Sequence, residues 1–170
     1  MKQQRIFILI VLFLLPSILI FPQSSGNKAY KSIRYGYSID YPTDFNQVSA
    51  NGRNIDLKLV TTDGTSILIN VTLRTAAEYN ITAHDYSKEM LEREFRQYSP
   101  SISITKAEKI YISGEKAFLI HYSNPSNNTK ATEIYLYKGK YAYVFTATCK
   151  ASLFKQYESI FLDSFNTFKF

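Results

Sequence analysis

The sequence predicts an α+β fold in which helices cover an antiparallel sheet. Apolar residues alternate with polar ones over several short segments, turn-forming residues separate those segments, and two stretches change to a helical period. Because the strands follow one another with short connections and the helices are only two, a sheet covered by helices is the expected arrangement. The 170 residues, 45% of them hydrophobic and 20% charged, suffice for one globular domain beside an export segment.

The first residues have the pattern of an export signal. Lys2 and Arg5 precede an apolar stretch from Ile6 to Phe21, which Pro16 interrupts. This stretch is shorter than the roughly 20 residues that a membrane-spanning helix needs. The positive residues stay inside, so the rest of the chain is expected outside the membrane, either secreted or tethered by this segment.

The sequence therefore divides into three predicted parts. We expect residues 1–26 to be a signal peptide or an N-terminal membrane anchor, residues 27–32 to be a polar linker, and residues 33–170 to be the folded domain. If the signal is not cleaved, residues 6–21 provide the membrane contact of the chain.

The first three segments of the domain alternate with a period of two, which is typical of strands. Pro42 ends the first segment, and Asp63-Gly64 indicates a hairpin between the other two. Burying both apolar faces of that hairpin pairs Leu57 with Val71 and requires a three- or five-residue loop. The alternating apolar residues are Tyr35, Tyr37, Ile39 and Tyr41, then Ile55, Leu57 and Leu59, then Ile67, Ile69, Val71 and Leu73.

Two segments have helical periodicity, and four strands lie between them. Thr82 and Asp85 fit a capping box, so the first helix is expected from Thr82 to Tyr98. The second helix places Phe154, Tyr157 and Phe161 on one face. The strands between the helices are predicted at Ile102–Ile112, Lys116–Ser123, Ala131–Lys138 and Tyr141–Cys149.

Several motifs resemble the PsbP family, whose namesake is an extrinsic subunit on the lumenal side of photosystem II. They are YGYSIDYP at 35–42, ISGEKA at 112–117, YVFTAT at 143–148, and the aromatic residues of the last helix. One departure is Phe45, where the family pattern has Trp. The resemblance implies an α-β-α sandwich with a central antiparallel sheet of about six strands. It also implies an exported, non-catalytic accessory or binding protein.

Candidate catalytic groups are few, and we expect no enzyme activity and no cofactor. The single cysteine, Cys149, ends an alternating strand and is predicted to be a buried core residue. An alternative is an extracytoplasmic enzyme or metal-dependent protein that uses His84 and His121 with nearby carboxylates, although two histidines rarely suffice for a metal. His121 is predicted on a strand face shared with Leu119, which favours a hydrogen-bonded sheet histidine.

The net charge of +6 does not indicate nucleic-acid binding. Without Lys2 and Arg5, the rest of the chain has 18 basic and 14 acidic residues, and these alternate along the sequence. Nucleic-acid-binding proteins concentrate their basic residues on one face. The partner that the PsbP resemblance implies is instead another protein, expected at the outer side of the membrane.

The 14 tyrosines are the unusual feature, and four residues near one hairpin form the predicted partner-binding surface. A Gly139-Lys140 turn of type II′ pairs Leu136 with Tyr143 and places Tyr135 and Tyr137 on the opposite face. The two tyrosines either pack under a helix or form an exposed patch with Lys138 and Lys140. A carbohydrate surface is an alternative ligand for such tyrosines.

Three Asn-x-Thr sequences are candidate glycosylation sites in an exported chain. Asn127 lies in a predicted polar loop and is the best acceptor. Asn80 comes second, and Asn70 is the poorest because it lies within a predicted strand.

Overall fold

The structure is a computed structural model that describes residues 26–170. Of the predicted signal or anchor at residues 1–26, residues 1–25 lie outside the described residues. Among the described residues, no helix combines the length and the apolar character needed to cross a membrane. The strands are β1 (Asn27–Ser32), β2 (Tyr37–Pro42), β3 (Asn46–Gln47), β4 (Ile55–Val60), β5 (Ser66–Leu73), β6 (Ser103–Ile112), β7 (Glu115–Asn124), β8 (Thr129–Lys138) and β9 (Tyr141–Lys150), and the helices are α1 (Lys88–Tyr98) and α2 (Phe154–Asn166).

A seven-stranded antiparallel sheet forms the centre of the fold, in the order β3-β4-β5-β9-β8-β7-β6. This confirms the predicted α+β class with a helix-covered antiparallel sheet. The sheet has seven strands rather than about six because the two residues of β3 pair with the end of β4. Long hairpins join β6 to β7 and β8 to β9, so most of the sheet is built from neighbours in the chain.

The prediction of a linker at residues 27–32 is wrong, because these residues form β1. Every residue of β1 pairs with β2 in a separate two-stranded sheet. The strand is mostly exposed and polar, so it lacks the apolar alternation that identifies buried strands. Backbone groups supply its hydrogen bonds, and the Tyr30 ring packs 6.0 Å from the ring of Tyr37.

Helix α2 covers one face of the sheet and encloses the larger core. Its inward face carries Phe154, Tyr157 and Phe161, as the sequence periodicity predicts, and Phe165 as well. Cys149 is buried in the same core, which confirms its predicted structural place. Phe45, which stands where the resemblance leads one to expect Trp, is also fully buried, with its ring 6.4 Å from that of Tyr157.

The opposite face of the sheet is covered by α1 and by the segment that precedes it. Leu91 of α1 packs there with Ala83 and with Phe118 and Ile120 of β7. The helix begins at Lys88 rather than Thr82, because the Thr82–Asp85 capping box closes a single 3₁₀ turn. Tyr86 is then extended, and Ser87 caps α1 by accepting a hydrogen bond from the Met90 amide.

Candidate functional site

The hairpin of β8 and β9 has the predicted two-residue turn. Leu136 pairs with Tyr143, and Gly139 has a φ of 53°, which the first position of a type II′ turn requires. Leu136 is buried in the larger core. Tyr135 and Tyr137 therefore lie on the other face of the sheet, towards α1, as the turn predicts.

Residues 74–87 cross this face and partly cover the two tyrosines. The Tyr86 ring lies 5.2 Å from that of Tyr135, and its hydroxyl lies 2.5 Å from the hydroxyl of Tyr137. Both tyrosines are half-buried. Of the two expectations, packing describes them better than an exposed patch.

The two lysines of the predicted surface do not join the tyrosines in one patch. Lys138 points to the other face, where it pairs with Glu115 and lies 5.2 Å from the centre of the Phe170 ring. Lys140 is exposed at the tip of the hairpin, over the ring of Tyr141. Partner binding by these four residues remains a prediction.

A groove lies between the sheet and residues 74–87, and we call it the tyrosine groove. Its cavity has a volume of about 520 Å³, within the range of sites that hold small molecules or anchoring side chains. Three of its apolar side chains remain exposed: Leu73 by 70%, Ile81 by 43% and Met90 by 44%. The residues that define the tyrosine groove are Leu73, Ile81, Tyr86, Met90, Tyr135 and Tyr137.

Arg74 places a positive charge at one end of the tyrosine groove. Its guanidinium lies 4.5 Å from the centre of the Tyr137 ring and donates hydrogen bonds to the carbonyls of Gly139, Glu78 and Ile81. Within residues 26–170, no carboxylate lies within ion-pair distance of it, and its buried Nε–H has no acceptor. A second cavity of about 390 Å³ shares Arg74, Ile81 and Tyr137 with the groove.

The two acidic residues that line the groove are occupied by their own turns. The Thr75 amide donates to Glu78 over 2.6 Å, and this bond lowers the pKa of the Glu78 carboxyl. The Thr82 amide donates to Asp85 in the same way and lowers its pKa. Both carboxylates therefore stabilise 3₁₀ turns, and Glu78 interacts with the guanidinium of Arg74 only beyond ion-pair distance.

A buried carboxyl lies on the same face of the sheet, beneath α1. Glu133 is 9% exposed and accepts hydrogen bonds from Tyr122 and Thr146 hydroxyls, over 3.4 and 3.2 Å. No cation among residues 26–170 forms an ion pair with it. Burial raises the pKa of Glu133, because desolvation disfavours the charged form.

The two histidines lie on opposite faces of the sheet, so they do not form a joint site. His84 approaches the Ile110 carbonyl oxygen through Nε2 at 2.9 Å, on the side of α1. His121 faces α2, where its Nδ1 lies 3.3 Å from a carboxylate oxygen of Glu158. Within the described part of the chain, no three histidine, cysteine or acidic side chains could hold a metal. His121 is thus a buried sheet histidine, on the same face as Leu119 as predicted.

Acidification is expected to destabilise the protein through His121. Burial lowers the pKa of His121 below its usual 6.5, an effect that Glu158 and Glu108 oppose and Lys106 reinforces. The unfolded state then binds the proton more tightly, so the free energy of unfolding is retained above pH 6.5 and falls as the pH drops below it. Urea denaturation between pH 8 and pH 5 measures this loss.

The matched control exchanges one histidine at a time. The decrease in unfolding free energy on acidification should be smaller in the His121→Gln protein than in the unmodified protein. The His84→Gln protein, in which the other histidine is replaced, should show the full decrease. An equal loss in the His121→Gln protein would contradict the assignment.

Cys149 is a buried free cysteine. Burial raises the pKa of the Cys149 thiol to about 11, so its reactive thiolate is disfavoured.

The three candidate glycosylation sites differ in exposure. Asn127 and Asn80 are exposed, whereas Asn70 is half-buried in β5. The order of accessibility agrees with the order expected for glycosylation, and occupancy remains a prediction.

Comparison with known proteins identifies the fold. No family model matches the chain, and no curated protein matches it. Among solved structures, cyanobacterial PsbP (CyanoP) from Synechocystis sp. PCC 6803 superposes with a TM-score of 0.67 at 14% identity, over 89% of this chain and 98% of that one. This chain has the PsbP-like fold. The resemblance carried by the motifs at 35–42, 112–117 and 143–148 is therefore confirmed for the fold.

Two further structures share the PsbP-like fold with this chain. LpqN, described as involved in cell envelope biogenesis of Mycobacterium tuberculosis, has a TM-score of 0.61 at 8% identity, over 85% of this chain and 90% of LpqN. PA94 from Pseudomonas aeruginosa, a protein of unknown function, has a TM-score of 0.52 at 16% identity, over 83% of this chain and 94% of PA94. At these sequence identities the comparison establishes the fold alone, and function has to be argued from the residues of the candidate site.

Proposed function

We propose that this protein is an exported, non-catalytic PsbP-like domain that binds a partner protein at the outer side of the membrane through the tyrosine groove. The observation that carries the proposal is the joint exposure of Leu73, Ile81 and Met90 around a floor of tyrosine rings. Exposed apolar side chains gathered at one concave site mark interaction surfaces, because their burial by a partner is favourable.

Other features support an exported binding domain. Lys2, Arg5 and the apolar stretch after them have the pattern of an export signal. The description of LpqN refers to the cell envelope, and CyanoP is a PsbP. The metal-dependent alternative loses its basis with the two histidines on opposite faces of the sheet. Carbohydrate binding is supported less, because Tyr86 covers the rings of Tyr135 and Tyr137.

Site-specific photo-crosslinking tests this proposal. A benzophenone amino acid at Leu73 is expected to capture one membrane-associated protein in intact cells. The same amino acid at Ile33 is the matched control, because Ile33 is 96% exposed and lies outside the groove, between β1 and β2. Capture should be stronger from Leu73 and should fall when Met90→Asp is added. Equal capture from both positions, or none from Leu73, would contradict partner binding at the groove.

A further inference from the structure

We infer that the partner segment in the tyrosine groove carries an acidic side chain beside its apolar anchor, and that Arg74 attracts this carboxylate. The inference rests on the proposed function and adds the chemistry of the partner. It depends on three observations: Arg74 forms no ion pair among residues 26–170, Lys140 and Lys116 add further positive charges near it that are not in ion pairs, and the apolar rim extends beyond the cavity.

The guanidinium of Arg74 is held in place without being neutralised. Carbonyl oxygens of Gly139, Glu78 and Ile81 accept its Nη hydrogens, and the ring of Tyr137 lies against it. These neutral groups orient the side chain, while the Glu78 carboxylate, which accepts the Thr75 amide, interacts with it only beyond ion-pair distance. A partly buried charge without an ion-pair partner is costly, and an incoming carboxylate reduces that cost.

The neighbouring charges increase the positive potential at this end of the groove. The Arg74 amide donates to the Lys140 carbonyl over 2.9 Å, which brings the exposed Lys140 beside it. Lys116 lines the second cavity next to Arg74. Neither lysine forms an ion pair among residues 26–170, although Lys116 interacts with Asp85 at longer range, and the nearby Glu115 is already paired with Lys138. Arg74, Lys116 and Lys140 outnumber the two carboxylates that line the groove, which favours an acidic partner.

The exposed rim favours a polypeptide over a small anionic molecule. Leu73 remains 70% exposed although it lines the cavity, and Ile81 and Met90 are each more than 40% exposed. A molecule that only filled the 520 Å³ cavity would leave this rim in water. A peptide segment covers the rim as well, with one large side chain in the cavity and an acidic neighbour at Arg74.

Selection from a random peptide library displayed on phage tests the inference even when the natural partner is unidentified. The full-length protein, purified in detergent and immobilised by its C-terminus, is expected to enrich peptides with a large apolar residue close to Asp or Glu. The most enriched peptide, synthesised with a fluorophore, should bind Lys140→Glu about ten-fold more weakly by anisotropy. Arg74→Glu should weaken it at least as much, and selection on that variant should enrich Lys or Arg in place of the acid.

Three variants separate the possible outcomes. Lys155→Glu is the matched control, because Lys155 is exposed on α2 at the opposite face of the sheet, and it should not change binding. Lys140→Glu keeps the test valid if Arg74→Glu disturbs residues 74–87, since the Lys140 side chain makes no hydrogen bond within the described chain. Leu73→Asp should abolish binding of every selected peptide.

The results distinguish this inference from the proposed function. Peptides that still bind the Leu73→Asp protein would show that they do not use the groove and would contradict the proposed function. Peptides that require Leu73 but lack acidic residues, or bind Lys140→Glu as well as Lys155→Glu, would overturn the acidic partner and leave the groove as the binding site.

Discussion

Replacing Phe161 by alanine is expected to lower the free energy of unfolding by about 3–5 kcal/mol. Phe161 is fully buried between α2 and the sheet, and its ring stacks on that of Tyr157 with centres 5.7 Å apart. Alanine would leave a cavity in the core that joins α2 to the sheet, and the surrounding aromatic rings can refill it only in part. Urea denaturation followed by circular dichroism measures the change.

Phe170→Ala is the matched control for this experiment. Phe170 is also near the C-terminus and touches Phe168, but it is 42% exposed. Its replacement should cost about 1 kcal/mol, because less apolar surface is removed from the protein interior. A larger cost for Phe170→Ala than for Phe161→Ala would contradict the docking of α2 through Phe161.

Replacing Glu133 by glutamine is expected to stabilise the protein at neutral and alkaline pH. Burial raises the pKa of Glu133 above its usual 4.5, so the folded state binds this proton more tightly than the unfolded state does. The contribution of Glu133 to stability is therefore complete below pH 4.5 and is lost as the pH rises through the raised pKa. Each ten-fold difference in proton affinity is worth about 1.4 kcal/mol.

The measurement is the difference in unfolding free energy between Glu133→Gln and the unmodified protein from pH 4.5 to pH 8.5. This difference should move in favour of the glutamine protein as the pH rises, because glutamine keeps a carbonyl acceptor and cannot ionise. Asp163→Asn is the control, since Asp163 is an exposed carboxylate on α2. A difference that does not vary with pH would show that Glu133 is not held in a desolvated site.

The parts of the fold that were predicted correctly are those where burial dictates the side-chain pattern. Alternation identified β2, β4, β5 and the four later strands, because each has a face in the core. It did not identify β1, whose side chains are mostly exposed. The register of β4 and β5 was wrong by two residues: Leu57 pairs with Ile69 rather than with Val71.

Polar contacts within the loop between β4 and β5 account for this difference in register. The loop has five residues, 61–65, which lie one position earlier than the five-residue loop of the predicted register, and the side chain of Asp63 holds it by hydrogen bonds. Asp63 accepts hydrogen bonds from the Thr61 hydroxyl and the Thr65 amide, and the pairing of the two strands is irregular between Ile55 and Leu57. Both registers place the same side chains in the core, so hydrophobic pattern alone does not distinguish them.

The candidate site was predicted only in part, because its components come from three separate regions of the chain. The glycine turn correctly placed Tyr135 and Tyr137 on the α1 face. Leu73 belongs to the alternating apolar residues of a predicted strand, yet it is 70% exposed. Arg74 was not singled out, because its role depends on carbonyl groups that only the folded path of residues 74–87 brings together.

The two ends of the large sheet have a consequence for self-association. β3 contributes only two residues at one end, and β6 at the other carries Lys106, Glu108 and Lys109 and an irregular pairing near Ile104. Short, charged and distorted edge strands are poor templates for another chain to extend by backbone pairing. Copies at high concentration would therefore resist polymerising edge to edge through the large sheet.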